Sequence, residues 1–584
     1  MELLRNNKNK ADLRDIYADI LDSAKETEYF GDAVVRKQDK KWALELDVTS
    51  CLEADIYECY SVLEAFVKRG LFLCYGKLLN ALRGKIPCEK WAELIAKDIR
   101  IDTDEANQLA AFVYRKSNKK LLVFYEDVWL LGGIERVVTV LLNGLKDEYR
   151  LLLLTSKEAE EELPDGFPIP QEVLHVHLNR AGDLPIYLQV ASVSLAMNAA
   201  MMIGNPNIEQ LFMPIYHTLK DMGIKTIAVN HYFYYLPFQY QPLSHVNDVR
   251  KKTLNGADAV VWLTRFSAAC ASSLNKNTVY IPNPNTFAEM PERAFPKEKV
   301  VMAVGRFYDP LKRIDRILMV FKKVLEIEPE AKLWLVGQYN ERMIVPGTKK
   351  KLLKRLEYEL NLPKESVVFW GPQKEVIDFY KQASVLLFPS ECEGYGMVLK
   401  EAGVAGTPVV INDFPGSEDI VEQDENGYRY NMYGGEYDEA AQSIAELLND
   451  EQKWLTMSRK AQILASTTNT EAIIGKWKQL IKCVLEHHSD AAFFNEMEEA
   501  GCLVSESDEE ESKKRAVDFL EQLLSNHQEE EKRSLYFVML DIHYSIRCII
   551  ARARYLIKEI GFRKTVIRIV KKCKRILHSM SVFF

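Results

Sequence analysis

Apolar positions change their period twice along this chain. Up to about residue 115 they recur at helical spacing, as in Leu13-Ile16-Ile20 and Val62-Phe66-Leu71, which predicts short amphipathic helices. From Lys120 compact apolar runs alternate with amphipathic stretches. Residues 120–125 predict a buried strand, 133–145 a helix, and 150–154, 225–230, 259–263 and 278–281 further strands. Ile281-Pro-Asn-Pro-Asn285 breaks the pattern as a rigid linker. A second series follows, with strands at 299–305, 332–336, 367–370, 385–388 and 408–411 and helices near 315–326 and 350–360. Strands interleaved with helices predict parallel sheets covered on both faces. The fold class is therefore α/β, with two doubly wound domains in tandem and a crevice at the carboxyl ends of their strands.

This pattern divides the chain into a helical N-terminal appendage (1–117), a first α/β domain (118–290), a second (291–486), an acidic linker (487–533) and a basic tail (534–584). The formal net charge of -8 argues against a nucleic-acid partner, but it hides the tail. There Arg547, Arg552, Arg554, Lys558, Arg563, Lys564, Arg568, Lys571, Lys572, Lys574 and Arg575 face only Asp541 and Glu559. Val566, Ile569, Val570, Cys573, Ile576 and Leu577 interleave with these charges at roughly helical spacing. Such a segment suits the surface of an anionic membrane, or docking on the acidic body of the chain. The ten cysteines form no C-x-x-C pair and no cluster with histidines, so reduced thiols are expected rather than a zinc site. The first ten residues lack the apolar run of a signal peptide, and no stretch reaches the length of a membrane span. The expected location is the cytoplasm.

The segment richest in chemistry is Phe388-Pro-Ser-Glu-Cys-Glu-Gly-Tyr-Gly-Met-Val-Leu-Lys-Glu-Ala402. A hydrophobic strand runs into a glycine-containing loop that opens a helix, so free backbone N–H groups and the positive helix end point at one place, where an anion fits. Gly394 and Gly396 let a ligand approach the backbone without a Cβ in the way. Glu393 lies on the loop, and Glu401 about two turns into the helix near the same face. Two carboxylates so placed suit a ligand with a diphosphate between two polyol ends. A second segment agrees with the first. Val301-Met-Ala-Val-Gly-Arg306 is a strand ending in a cation, with Lys312 six residues on. Cations at the carboxyl end of a strand can neutralise a leaving diphosphate.

The spacing of Glu393 and Glu401, within the surrounding EGYG…EA…G.PVV pattern, resembles the E-x7-E signature of retaining GT-B glycosyltransferases of family four (glycosyl transferases group 1). The resemblance covers roughly residues 118–486 and is strongest over 300–430. It implies the GT-B fold: two Rossmann-like domains facing a cleft, acceptor side first and donor side second, with a last helix near 471–486 crossing back. It further implies a hexosyltransferase-type enzyme that moves a sugar from a nucleoside-diphosphate-sugar to a cell-surface glycan or lipid-linked saccharide acceptor, with retention of configuration.

By that resemblance Glu393 binds hydroxyls of the transferred sugar and Glu401 the ribose diol, while Gly394, Tyr395, Gly396, Met397 and Val398 line the donor. Arg306 and Lys312 would serve the diphosphate. The family pattern G-R…K-G has Lys312-Arg313 here, so Arg313 either narrows the approach or adds a phosphate contact. Gly132 and Gly133, in Leu131-Gly-Gly-Ile-Glu-Arg136, resemble the family's N-terminal glycine loop, and His231, after the strand at 225–230, takes the place of a histidine on the transferred sugar. Trp370, in Phe369-Trp-Gly371, would neighbour the base, and Gly416 and Ser417 the donor. Tyr232, Phe233, Tyr234 and Tyr235 suit an acceptor platform or a core cluster. No D-x-D triplet occurs where a metal would hold the diphosphate, so no cofactor and no metal are expected. Two alternatives stay open: a non-catalytic partner subunit of the same fold, and a sugar phosphorylase.

Overall fold

The computed structural model describes residues 103–520, with breaks at 128, 130–131, 158–166, 180–185, 206–215, 217–218, 221–222, 236–249, 252, 289–290, 339–359, 374, 434, 436 and 487–489, and parts of 43–93. The expected helix at 350–360 falls almost wholly outside the described residues, and Leu13-Ile16-Ile20 and the basic tail lie outside them entirely. Both sheets belong to one compact unit, residues 1–339 with 362–517.

Two helices of the N-terminal region, α1 (Phe72–Leu82) and α2 (Thr103–Tyr114), precede the first sheet. Its strands are β1 (Leu121–Tyr125), β2 (Arg150–Lys157), β3 (Leu174–Asn179), β4 (Met201–Gly204), β5 (Lys225–Asn230), β6 (Ala259–Trp262) and β7 (Thr278–Tyr280), with helices α3 (Gly133–Leu145), α4 (Ile186–Ala196) and α5 (Arg265–Ala271) between them. The strands are parallel, in the order β3-β2-β1-β4-β5-β6-β7. Every residue of β1 is buried because both faces are covered. Leu121, Val123 and Tyr125 join one core, together with Val62, Phe66 and Leu71 of the N-terminal region. Leu122 and Phe124 join the other, beneath α3.

Three strands lie outside the runs expected from the sequence. Of these, β3 is an edge strand reading Leu-His-Val-His-Leu-Asn. Glu105 of α2 accepts a hydrogen bond from the backbone N–H of His177 and stands 2.7 Å from its Nδ1. The appendage thus covers an edge that would otherwise be open to pairing. Of the others, β4 is apolar, Met-Met-Ile-Gly, but has only four residues, and a strand of the second sheet over Gly427–Tyr430 reads Gly-Tyr-Arg-Tyr.

The second sheet is also parallel, in the order β10-β9-β8-β11-β12-β13. Its strands are β8 (Val300–Val304), β9 (Lys332–Val336), β10 (Val367–Gly371), β11 (Val385–Phe388), β12 (Val409–Asn412) and β13 (Gly427–Tyr430). The helices are α6 (Ile314–Ile327), α7 (Ile377–Gln382), α8 (Met397–Val404), α9 (Asp438–Asn449) and α10 (Glu451–Thr467). The strand order reverses between β1 and β4 in one sheet and between β8 and β11 in the other, and such switch points open the crevices where α/β sheets bind ligands. The molecule is a GT-B fold, two Rossmann-like sheets with helical additions.

Helix α11 (Thr470–Leu485) returns to the first domain, where Ile473, Ile474, Trp477 and Leu480 enter the core beneath α3. The acidic segment, expected as a linker or loose helix, is largely helical over its described part. Residues 490–520 form helix α12 (Asp490–Glu499) and a second helix over 506–520. Phe493, Met497 and Cys502 are buried in the first domain's core, and Arg515 reaches Asp413 at 2.7 Å and Glu418 at 3.2 Å. The acidic residues lie on the solvent side of helices whose apolar positions are spent on packing. Among the described residues no helix is long and apolar enough to cross a membrane.

Candidate active site

Strand β11 ends at Phe388, and its chain turns outward before α8 begins at Met397. Gly396 precedes the helix with φ of 82°, a left-handed conformation that glycine adopts without strain. On the neighbouring strand β8, the chain continues through Arg306 to a short turn, Pro310–Lys312. The N–H of Glu391 donates to the carbonyl of Leu311 at 2.8 Å, which ties that turn to the loop. As a result Lys312 Nζ lies 2.5 Å from Glu393 Oε1, and 5.3 Å from the centre of the Phe388 ring. Both side chains are largely withdrawn from water. A cation and a carboxylate fixed this way hold each other ready for a ligand.

Arg313 follows Lys312 directly and caps the start of α6. It occupies φ 49°, the left-handed region that a glycine would take without cost; for another residue this costs about 1–2 kcal/mol. Its guanidinium pairs with Asp315, at 2.8 and 3.0 Å, and with Glu391. These ion pairs hold the strained backbone and use up the charge.

Glu401 is buried on α8. Its Oε1 accepts from Arg136 Nη1 at 2.7 Å, and its Oε2 from the Tyr380 hydroxyl at 3.0 Å. Burial raises its pKa, while Arg136 and Tyr380 oppose the rise. Arg136 belongs to α3 of the first domain and is stacked between Phe167 and Phe287, 4.9 and 5.1 Å from their ring centres. The sequence motif contained Arg136 but gave it no role.

The glycines mark where the two domains touch. A Cβ on Gly394 would stand 1.9 Å from the carbonyl oxygen of His231, so the loop of one domain lies flat on the strand end of the other. A Cβ on Gly133 would meet Met397 at 3.3 Å, and one on Gly416 would meet Thr264 at 3.1 Å. Next to Gly416, Asp419 accepts from the N–H of Arg265 at 2.6 Å and from its guanidinium at 3.0 Å, capping α5. Gly132 stands at the start of α3, close over Glu135. His231 lies at this contact, and burial pushes its imidazole down to about 4, which leaves it neutral at pH 7.

The remaining expected residues are spread more widely. Tyr395 is buried, Asn283 Nδ2 donates to the Met397 sulfur at 3.2 Å, and the Val398 carbonyl accepts from Tyr380. Arg306 is exposed, with no ion-pair partner among the described residues. Ser417 is buried, its hydroxyl 3.2 Å from Asp413. Trp370 packs edge-on against Trp334 at 5.6 Å and Phe379 at 5.3 Å, in an aromatic cluster at the sheet edge. Phe233 and Tyr234 are buried, which makes them core, whereas Tyr232 is 41% exposed. Glu126 was missed altogether. It follows β1 directly, is buried, and has its pKa raised to about 8, chiefly by desolvation. Its signal was a pair of acids, Glu126-Asp127, at the carboxyl end of an apolar strand.

Residues 286–463 match the family described as glycosyl transferases group 1. A protein of Haemophilus influenzae described as an uncharacterized glycosyltransferase is 28% identical over 382 residues, covering 62% of this chain and 100% of its own. Sucrose-phosphate synthase from Thermosynechococcus elongatus superimposes with a TM-score of 0.51 at 20% identity, over 63% of this chain and 100% of that one. HepE of Anabaena, solved with UDP-glucose, gives 0.50 at 17% identity, over 62% and 99%. The last two are likenesses of fold. Together with the sheets and the motif geometry, these matches identify residues 286–463 as a glycosyl transferases group 1 domain and the chain as a glycosyltransferase with a GT-B fold.

Proposed function

We propose that this enzyme moves a sugar from a nucleoside-diphosphate-sugar to a glycan or lipid-linked saccharide acceptor, with retention of configuration and without a metal ion. The observation that carries this reading is the Lys312–Glu393 pair at the mouth of α8, with the Gly394 backbone resting on His231 of the other domain. The helix N-terminus and Lys312 offer positive charge where a diphosphate would lie, and exposed Arg306 adds a planar fork for its oxygens. Glu393, oriented by Lys312, is free at its second oxygen to accept from a sugar hydroxyl. Glu401 uses two of about four lone-pair sites on Arg136 and Tyr380, which leaves capacity for a ribose diol. HepE, a fold relative, was solved with UDP-glucose, which supports a donor of this class.

In the reaction the bond from C1 of the sugar to the diphosphate oxygen breaks, and a bond from C1 to the acceptor oxygen forms on the same face. The acceptor's proton passes to the departing phosphate, and the nucleoside diphosphate leaves. Neutral His231, beside Gly394, can hydrogen-bond the sugar without adding charge. A thermal-shift screen against UDP-, GDP- and ADP-sugars in EDTA tests the donor class. One nucleotide series should stabilise the protein, by about 2.7 kcal/mol at 100 times its Kd; no shift with any of them would count against the reading.

A further inference from the structure

The polar groups described so far serve the donor side, yet the first sheet has its own switch point, between β1 and β4, and it is polar. Tyr125 pairs in register with Gly204, so the next residues, Glu126 and Asn205, stand side by side at the strand ends. Asn205 Nδ2 lies 3.4 Å from Glu126 Oε2, and both residues are nearly inaccessible, at 2% and 6% exposure. Asn205 Oδ1 has no hydrogen-bond partner among the described residues. A buried carboxamide oxygen left unpaired costs about 1–3 kcal/mol, and a crevice at a switch point is where a ligand would satisfy it.

The surroundings describe that ligand. The charged groups acting on Glu126 are Glu135 on α3 and Asp127 beside it, both acids. Two phenols also feel Glu126: Tyr216, whose hydroxyl bonds the Gly204 carbonyl at 3.3 Å, and Tyr232. Tyr232 is acted on by Arg306 of the donor domain as well. Among the described residues the charged groups acting on Glu126 include no cation, and the strand ends offer hydrogen-bond donors and acceptors.

We propose that Glu126 and Asn205 form the acceptor subsite of the transferase, which takes an uncharged, hydroxyl-bearing sugar and turns away anionic ones. This rests on the transferase reading. Burial holds the Glu126 carboxyl in its protonated form at neutral pH, so it can donate to one hydroxyl while Asn205 Oδ1 accepts from another. An anionic acceptor would meet the acids Asp127 and Glu135, which act on Glu126.

The test uses the full chain, the sugar nucleotide it binds, and hexyl glycosides of glucose, galactose, mannose and N-acetylglucosamine beside hexyl glucuronide. Nucleoside diphosphate release is followed with and without glycoside. At least one uncharged glycoside should accelerate release and the glucuronide should not. Glu126→Ala and Asn205→Ala should each raise the KM for that glycoside about tenfold, the loss of one hydrogen bond. Glu126→Gln, neutral and able to donate, should stay within about threefold, and melting temperatures would show that the variants fold. Unchanged KM in both alanine variants, preference for the glucuronide, or no response to any uncharged glycoside by an enzyme that hydrolyses its donor would overturn the proposal. Failure of the wild type to cleave any sugar nucleotide would instead remove the transferase reading beneath it.

Discussion

Arg136 of the first domain donates to Glu401 of the second at 2.7 Å, with both side chains mostly buried. The pair joins the helix after the glycine loop of one sheet to the carboxylate assigned to the donor ribose. Breaking a buried pair from one side leaves an uncompensated charge and costs about 3–5 kcal/mol. Arg136→Met should therefore destabilise the protein by about 3 kcal/mol at pH 7, and adding Glu401→Gln should recover most of it. Urea denaturation of the two single variants and the double variant measures this. Equal stability of wild type and Arg136→Met would mean that the pair is formed at no net gain.

Gly394 makes a second claim on domain contact. Its Cβ would lie 1.9 Å from backbone oxygen, which cannot swing away as a side chain can. Gly394→Ala should push the domains apart while each keeps its core, and misplacement of about 1 Å can cost on the order of 100-fold in rate. Turnover and small-angle scattering together check it. A variant with normal turnover and an unchanged radius of gyration would contradict the contact.

Much of this was legible in the sequence because it is local. Glu393, Glu401 and the glycines between them fall on one strand–loop–helix unit, and spacing alone places them on one face. Strands with two apolar faces, such as β1 and β11, were legible for the same reason. What was not legible depends on distant partners. Arg136 meets Glu401 from 265 positions away, and nothing within either segment announces it. Arg313 read as a spare cation because its left-handed backbone and its turn onto Glu391 and Asp315 are tertiary facts. Strand β3 escaped because its histidines are matched by Thr155 and Glu105 rather than by apolar neighbours. Helix α12 escaped because acidic composition hid the two buried residues, Phe493 and Met497, that dock it.

Glu126 gives the protein a pH dependence of definite sign. Its pKa rises from 4.5 unfolded to about 8 folded, so its contribution to stability is fully present below about pH 4.5 and is lost as pH climbs to about 8. At about 1.36 kcal/mol per pK unit, the loss is on the order of several kcal/mol. Glu126→Gln should thus gain on the wild type steadily across that window. The difference between the two melting curves isolates this residue from His231, whose pKa is displaced downward. A difference that stays flat with pH would show that Glu126 is solvated after all.

The basic tail lies outside the described residues, and its role is argued from charge alone. Eleven basic residues against two acids, each contributing about 1 kcal/mol near an anionic surface, should bind full-length protein to anionic vesicles and release it as salt is raised. A chain ending near Lys532 should stay in solution. Equal co-sedimentation of the two would assign the tail to protein contacts instead.

The central claim is that Lys312 and Glu393 at the mouth of α8 carry sugar transfer. Its most direct measurement is release of nucleoside diphosphate from the sugar nucleotide that stabilises the protein, by wild type, Glu393→Ala and Lys312→Met at saturating donor. The account predicts release by the wild type and a fall of about 100-fold or more in kcat for each variant, with melting temperatures close to the wild type. Wild-type turnover in Glu393→Ala, or variants that change only KM, would contradict it.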